Sequence, residues 1–136
     1  MSPQRVPNIR LSLVIPCKDI NDTKLKELLK SIDAQDFPKS EMEVLIISEG
    51  TSESAKAIGI RRAKGEVIGI LASDNELTDS RFLSYTWEGL HYYRVHCAYP
   101  AYYTYRKDDN KLNRYFSLIG GNDVLSFYMC KNDRRP

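Results

Sequence analysis

Three short apolar runs, each closed by a polar loop, constrain this chain more than any other feature. They are Leu11–Pro16 (Leu-Ser-Leu-Val-Ile-Pro), Glu43–Ile47 (Glu-Val-Leu-Ile-Ile) and Val67–Ala72 (Val-Ile-Gly-Ile-Leu-Ala). The third is uninterrupted and reads as a strand buried on both faces, as in a parallel sheet covered by helices, and the first two, which include Ser12 and Glu43, read as buried strands as well. Between the first two runs, Leu25, Leu28, Leu29 and Ile32 repeat at helical spacing, with Lys24, Lys26, Glu27 and Lys30 set to face water. Asn21 or Asp22 is placed to cap that helix. Between the second and third, a helix beginning at Thr51 or Ser52 carries Ala55, Ile58 and Ala63 and stops at Lys64-Gly65. Strand, helix, strand, helix, strand predicts right-handed crossovers and a parallel sheet. The predicted fold class is α/β, Rossmann-like, in three α/β/α layers.

In such a sheet the loops after the strands share one edge, where open α/β folds place their ligands. Here those loops are Cys17–Asp22, Ser48-Glu49-Gly50-Thr51-Ser52 and Ser73-Asp74-Asn75-Glu76. Gly50 permits a sharp turn. A carboxylate flanked by oxygen-bearing side chains, as at Asp74, suits a hard divalent cation that also holds a diphosphate. The simpler alternative is a polar turn leading into the next helix.

Composition narrows the function classes. The 136 residues predict one domain with one core. Lysine and arginine number 20 against 18 acidic residues, a balance that argues against nucleic-acid binding through bulk charge. Cys17, Cys97 and Cys130 lie far apart, so neither a disulfide framework nor a zinc site is expected and a reducing cytoplasm is the natural reading. No apolar run approaches the ~20 residues needed to span a bilayer, so any membrane association would be peripheral. There is no Gly-x-Gly-x-x-Gly, no P-loop and no Gly-x-Ser-x-Gly elbow. With no glycine cradle in the loops, a metal ion would have to neutralise a diphosphate.

Beyond Asn75 the composition shifts. Thr78 or Asp79 is placed to cap a helix carrying Phe82, Leu83, Thr86, Trp87 and Leu90, and all nine tyrosines lie from Tyr85 onward. Tyr99, Tyr102, Tyr103 and Tyr105 surround Pro100, a pattern for an extended segment with an aromatic face that packs or stacks on a ligand. A short helix is expected over Leu112–Leu118, and a turn at Gly120-Gly121-Asn122-Asp123.

The ordered series Leu11-Ser-Leu-Val-Ile-Pro16, Leu29-Lys-Ser-Ile32, Gln35-Asp-Phe-Pro38 and Glu43-Val-Leu-Ile-Ile47 resembles the opening of the family 2 glycosyltransferases of GT-A fold. Gly59-Ile-Arg-Arg-Ala-Lys-Gly65, with the strand and Asp-bearing loop after it, is similar to that family's second landmark. The resemblance runs from Leu11 to Leu77, which would make residues 11–77 a nucleotide-binding half and 78–136 a tyrosine-rich acceptor-side portion. Leu112–Asp123 resembles part of a subgroup's acceptor side. The family usually continues into a second half, so the chain looks like a short or truncated member.

The resemblance implies inverting, metal-dependent transfer of a sugar from a nucleoside diphosphate sugar to a glycan, lipid-linked or protein acceptor. It implies a base-recognition loop at Pro16, Cys17, Lys18 and Asp19, and a carboxylate meeting base or ribose at Glu49 beside Gly50. Lys56 stands near a phosphate-contacting position. Ala72-Ser73-Asp74 occupies the Asp-x-Asp motif, so only Asp74 carries over, as ligand of Mg²⁺ or Mn²⁺. Inversion needs a general base, and no carboxylate matches the family's motif for it. Asp123, presented by its glycine turn, is the best candidate. A catalytically incomplete nucleotide-sugar-binding module and a protein-interaction domain are the alternative readings.

Overall fold

A computed structural model describes residues 8–100 and 107–118 of the chain. It contains three strands, β1 (Leu11–Pro16), β2 (Met42–Ile47) and β3 (Val67–Ile70). They form one parallel sheet in the order β2-β1-β3. Helices α1 (Thr23–Asp33) and α2 (Ser52–Arg62) make the two crossovers, and α3 (Phe82–Tyr93) follows β3. A short 3₁₀ turn, Lys39–Glu41, leads into β2. The chain divides into two compact units between Arg94 and Val95. In the second unit, α4 (Lys111–Leu118) is a short helix where one was expected.

Parallel register explains how the core divides. Leu13 pairs with Val44 and Gly69, and Val14 with Leu45 and Ile70, so alternate residues of β1 face opposite layers. Leu11, Leu13 and Ile15 pack with Leu25, Leu28 and Ile32 of α1 and Leu83 of α3. Val14 packs with Ile47 and with Ala55 of α2 on the other face. Helices thus cover both faces of the parallel sheet. The close fit of α2 depends on Gly59, where an added Cβ would stand 2.2 Å from Cγ1 of Val14.

Only β1 matches the expectation of strands buried on both faces. It is buried from Leu11 to Ile15. β2 is half-buried along most of its length, and Ile68 and Ile70 of β3 are 39% and 47% exposed. Among the described residues both are edge strands with one neighbour each. Val67 of β3 and Leu71 just beyond it pack toward α1 and α3, whereas Ile68 and Ile70 pair with Ser12 and Val14 on the α2 face, outside the cluster that α2 covers. The strand also ends at Ile70, two residues before the apolar run does.

The start of α3 also departs from expectation. Neither Thr78 nor Asp79 is its N-cap, which is Arg81, with no side-chain cap bond. The first-turn amide of Leu83 instead donates to the side-chain oxygen of Gln35, 3.1 Å away. Gln35 lies just beyond α1 and is 5% exposed. Its amide nitrogen donates to the carbonyl of Asp79 at 2.8 Å. Ser31 helps from inside α1, where its hydroxyl accepts from the amide of Leu77 at 3.0 Å. A buried glutamine distant in sequence therefore satisfies a helix end that lacks its own cap.

Candidate functional site

The loops after β1 and β2 hold their shape largely through local bonds. In the first, the amide of Asn21 donates to Oδ1 of Asp19 at 2.9 Å and the thiol of Cys17 to the Asp19 carbonyl at 3.1 Å. Asp22 then caps α1, its carboxylate accepting from the Lys24 amide at 3.0 Å. In the second, Gly50 sits at φ 75°, a left-handed conformation that costs glycine nothing. Thr51 caps α2 in a reciprocal box: its amide donates to Ser54 Oγ at 2.8 Å, and Ser54's amide donates back to Thr51 Oγ1 at 3.3 Å. The Cys17 amide donates to the Ile47 carbonyl at 3.0 Å, fixing the two loops side by side.

Between them lies a cleft of about 330 Å³, at the small end of the range for small-molecule sites. Pro16, Cys17, Lys18 and Asp19 form one wall, and Glu49 and Gly50 belong to the other. Ser73 reaches it from the loop after β3. The parallel sheet thus gathers candidate residues from the first two loops around one space. Sequence reasoning passed over Asp22, Thr51 and Ser52, which also line it. Their helix-capping role was legible, and it carried the signal, because caps of two helices at one cleft bring two helix N-termini there.

The remaining candidates are placed differently. Asp74 is exposed in the turn after β3, beside Ser73 but not among the residues lining the cleft. Lys56 also lies off the cleft, its amine 3.0 Å from Glu53 on the same helix. The carboxylate of Glu49 is held by Arg62 of α2 at 3.1 Å. Asp123, Tyr102, Tyr103 and Tyr105 lie outside the described residues.

Charge decides what this cleft could accept. Asp19, Asp22 and Glu49 line it against Lys18 alone. A bare diphosphate would meet net repulsion, offset in part by the two helix N-termini. Hydrogen-bond acceptors are plentiful, which suits a base N–H or ribose hydroxyls. For Mg²⁺ or Mn²⁺ the donor chemistry is right but sparse. Among the described residues no three His, Cys, Asp or Glu side chains gather as a metal site. One exposed carboxylate fits a cation that takes most of its ligands from phosphate and water, and does not fit a self-sufficient protein cage.

No protein-family model, curated protein or solved structure matches the chain. No helix among the described residues is long and apolar enough to cross a membrane.

Proposed function

We propose that this chain binds a nucleoside diphosphate sugar at the carboxyl-end cleft and acts as the donor domain of a metal-dependent, inverting glycosyltransferase of GT-A type. One observation carries the reading. Pro16–Asp19 and Glu49–Gly50, far apart in sequence, wall a single cleft together with the N-caps of two helices at the carboxyl edge of a parallel sheet. Open α/β folds bind nucleotides at that edge.

The residues divide the work by charge. Asp19 accepts hydrogen bonds from the base or ribose through the oxygen that Asn21 leaves free. Lys18 and the N-termini of α1 and α2 supply positive potential to the diphosphate. Glu49 joins when its exposed pair with Arg62 opens, at small cost because surface ion pairs contribute little. Asp74 would hold Mg²⁺ or Mn²⁺ against the phosphates, and such a cation supplies charge neutralisation for the leaving diphosphate. Lys56, tied to Glu53 off the cleft, has no part in this reading. The acceptor, a glycan, lipid-linked molecule or protein, would be deprotonated by a carboxylate of the acceptor-side portion, with Asp123 the candidate.

Titration of UDP, GDP, CDP and ADP into the full chain, with and without Mn²⁺, tests the proposal. Cation-dependent binding of at least one, with amide shifts at Lys18, Asp19 and Gly50, is the expected result. No binding in either condition, or shifts confined to residues remote from these loops, would overturn it. Binding without release of nucleoside diphosphate from any nucleotide sugar would reduce the reading to a nucleotide-sugar-binding module.

A further inference from the structure

At the opposite end of the sheet, where the strands begin, an imidazole joins the last turn of α3 to the residue before β3. Nδ1 of His91 lies 2.8 Å from the carbonyl oxygen of Trp87, one turn earlier in the helix. Nε2 lies 3.2 Å from Oε1 of Glu66, the residue that precedes β3. The ring also packs on the indole of Trp87, with centroids 4.1 Å apart. Both ring nitrogens therefore face oxygen acceptors. A neutral imidazole has one N–H, and only imidazolium can donate to both.

We propose that His91 is a proton-operated clasp: protonated, it fastens the last turn of α3 to the entrance of β3, and on deprotonation it lets go. Once neutral, the ring keeps one of its two bonds. If it keeps the shorter one to Trp87, the Nε2 lone pair turns toward the Glu66 carboxylate and the contact becomes repulsive. The surrounding charges are consistent with this. Glu66 favours imidazolium, and Arg10, on the lead into β1, opposes it. Arg10 stacks over Trp87 at 4.4 Å and is itself paired with Glu41 of the 3₁₀ turn. On α3 itself, Glu88 lines the same groove as His91, and Arg94 follows in the next turn. The Trp87 carbonyl and the Glu66 carboxylate together hold the ring's affinity for a proton above its ordinary value, against partial desolvation and the charge of Arg10.

The position gives the clasp a consequence. Leu83 is the one buried side chain of α3, and it lies in the first turn. Tyr92 and Tyr93 of the last turn are exposed. Arg94 closes the helix in a left-handed conformation at φ 52°, its amide bonded back to the carbonyls of Leu90 and His91. The first compact unit ends at this residue. Protonation of His91 thus decides how firmly the turn leaving that unit is held.

The chain itself supplies the probes, one tryptophan and two histidines. In the full chain, ring-proton NMR should show His91 titrating above the usual range of a histidine, and Glu66→Gln should move its midpoint down. Trp87 emission should rise as pH passes the His91 midpoint, because the stacked imidazolium quenches indole, and His91→Gln should abolish that step. Amide exchange over residues 90–94, corrected for its intrinsic pH dependence, should accelerate across the same transition in the wild type and stay flat in Glu66→Gln. A His91 midpoint that does not move in Glu66→Gln would overturn the proposal, as would exchange at 90–94 indifferent to the titration. Glu66→Gln alters only an exposed side chain, so the test stands even if His91→Gln folds poorly.

Discussion

The two ends of the sheet are built on different plans. At the end where the strands begin, side chains bond from one element to another. Ser12 and Glu43 stand opposite each other in register, and the serine hydroxyl donates to the carboxylate at 2.6 Å. The same hydroxyl accepts from the Gly65 amide at 2.7 Å, and the same carboxylate from the Lys64 amide at 2.6 Å. Arg10 reaches Glu41, and His91 reaches Glu66. At the end where the strands finish, most bonds stay inside a single loop: Asp19 with Asn21, Asp22 with Lys24, Thr51 with Ser54. One end ties three strands and their crossovers into register. The other leaves preformed loops around an open cleft, the arrangement a binding site needs on a rigid scaffold. Substitutions at the first end should therefore cost stability, and at the second end should change binding instead.

The largest contrast should come from two glycines. An alanine Cβ at Gly65 would stand 2.6 Å from the Ser12 amide nitrogen and 2.8 Å from the Leu11 carbonyl carbon, backbone atoms that cannot step aside. Gly65→Ala should lower unfolding free energy by ~3 kcal/mol. Gly50→Ala puts alanine at φ 75° and presses on Ser54 Oγ, the movable tip of an exposed side chain. Its cost should be nearer ~1–2 kcal/mol. Urea denaturation of both variants checks the order, and equal losses would break the comparison.

Next comes Ser12→Ala. Ser12 is fully buried, and removing its hydroxyl leaves the Gly65 amide without its partner. That should cost ~2 kcal/mol, the penalty of an unsatisfied buried donor. If Ser12→Ala is as stable as the wild type by thermal and urea unfolding, the amino-end network does not hold the register.

Much of this architecture was legible in the sequence. β1 begins and ends where its apolar run does, the repeat of Leu25, Leu28 and Ile32 marks the buried face of α1, and Asp22 caps it as its position suggested. What failed has a common cause. A β-branched run such as Val67–Ile70 looks the same at a sheet's centre and at its edge, because the difference lies in neighbours supplied by other segments. The capping of α3 by Gln35 and the pairing of Ser12 with Glu43 are likewise contacts between distant positions, invisible to local pattern. The cleft was legible as three loops on one edge. The capture of Glu49 by Arg62 was not, since nothing local in either residue announces the other.

The amino-end network should also respond to acid. Burial alone would raise the Glu43 carboxyl's affinity for a proton, but the Ser12 hydroxyl, the Lys64 amide and the Lys64 charge outweigh it and hold the group below its ordinary value. A carboxylate depressed in the folded state contributes stability above its unfolded-state pKa and loses it as pH falls through the folded one. Wild type should therefore weaken as pH drops below the usual carboxylate range. Ser12→Ala, having lost the hydroxyl bond, should weaken less steeply, so the gap between the two should narrow in acid. Parallel unfolding curves of the two proteins from neutral pH to pH ~3 would measure it, and a gap constant with pH would remove Glu43 from the account.

The smallest effect on stability belongs to Asp74, and that is its diagnostic value. The residue is exposed in the turn after β3, so Asp74→Ala should move unfolding free energy by no more than ~0.5 kcal/mol, the range of ordinary surface substitutions. Its effect on nucleotide binding should be disproportionate. The cleft carries Asp19, Asp22 and Glu49 against Lys18, so in the proposed function a diphosphate bound there needs a cation, and Asp74, next to the cleft-lining Ser73, is the carboxylate proposed to retain it. In Asp74→Ala the affinity gained on adding Mn²⁺ should disappear, while the weaker cation-free affinity, set by Asp19 and the two helix N-termini, should persist. Glu49→Gln separates the two contributions: it removes a cleft charge without touching the cation, so the Mn²⁺ gain should survive. A variant at Asp74 that keeps the full Mn²⁺ gain would move the cation elsewhere. One that loses stability as Ser12→Ala does would show that this end of the sheet, too, is built to hold the fold.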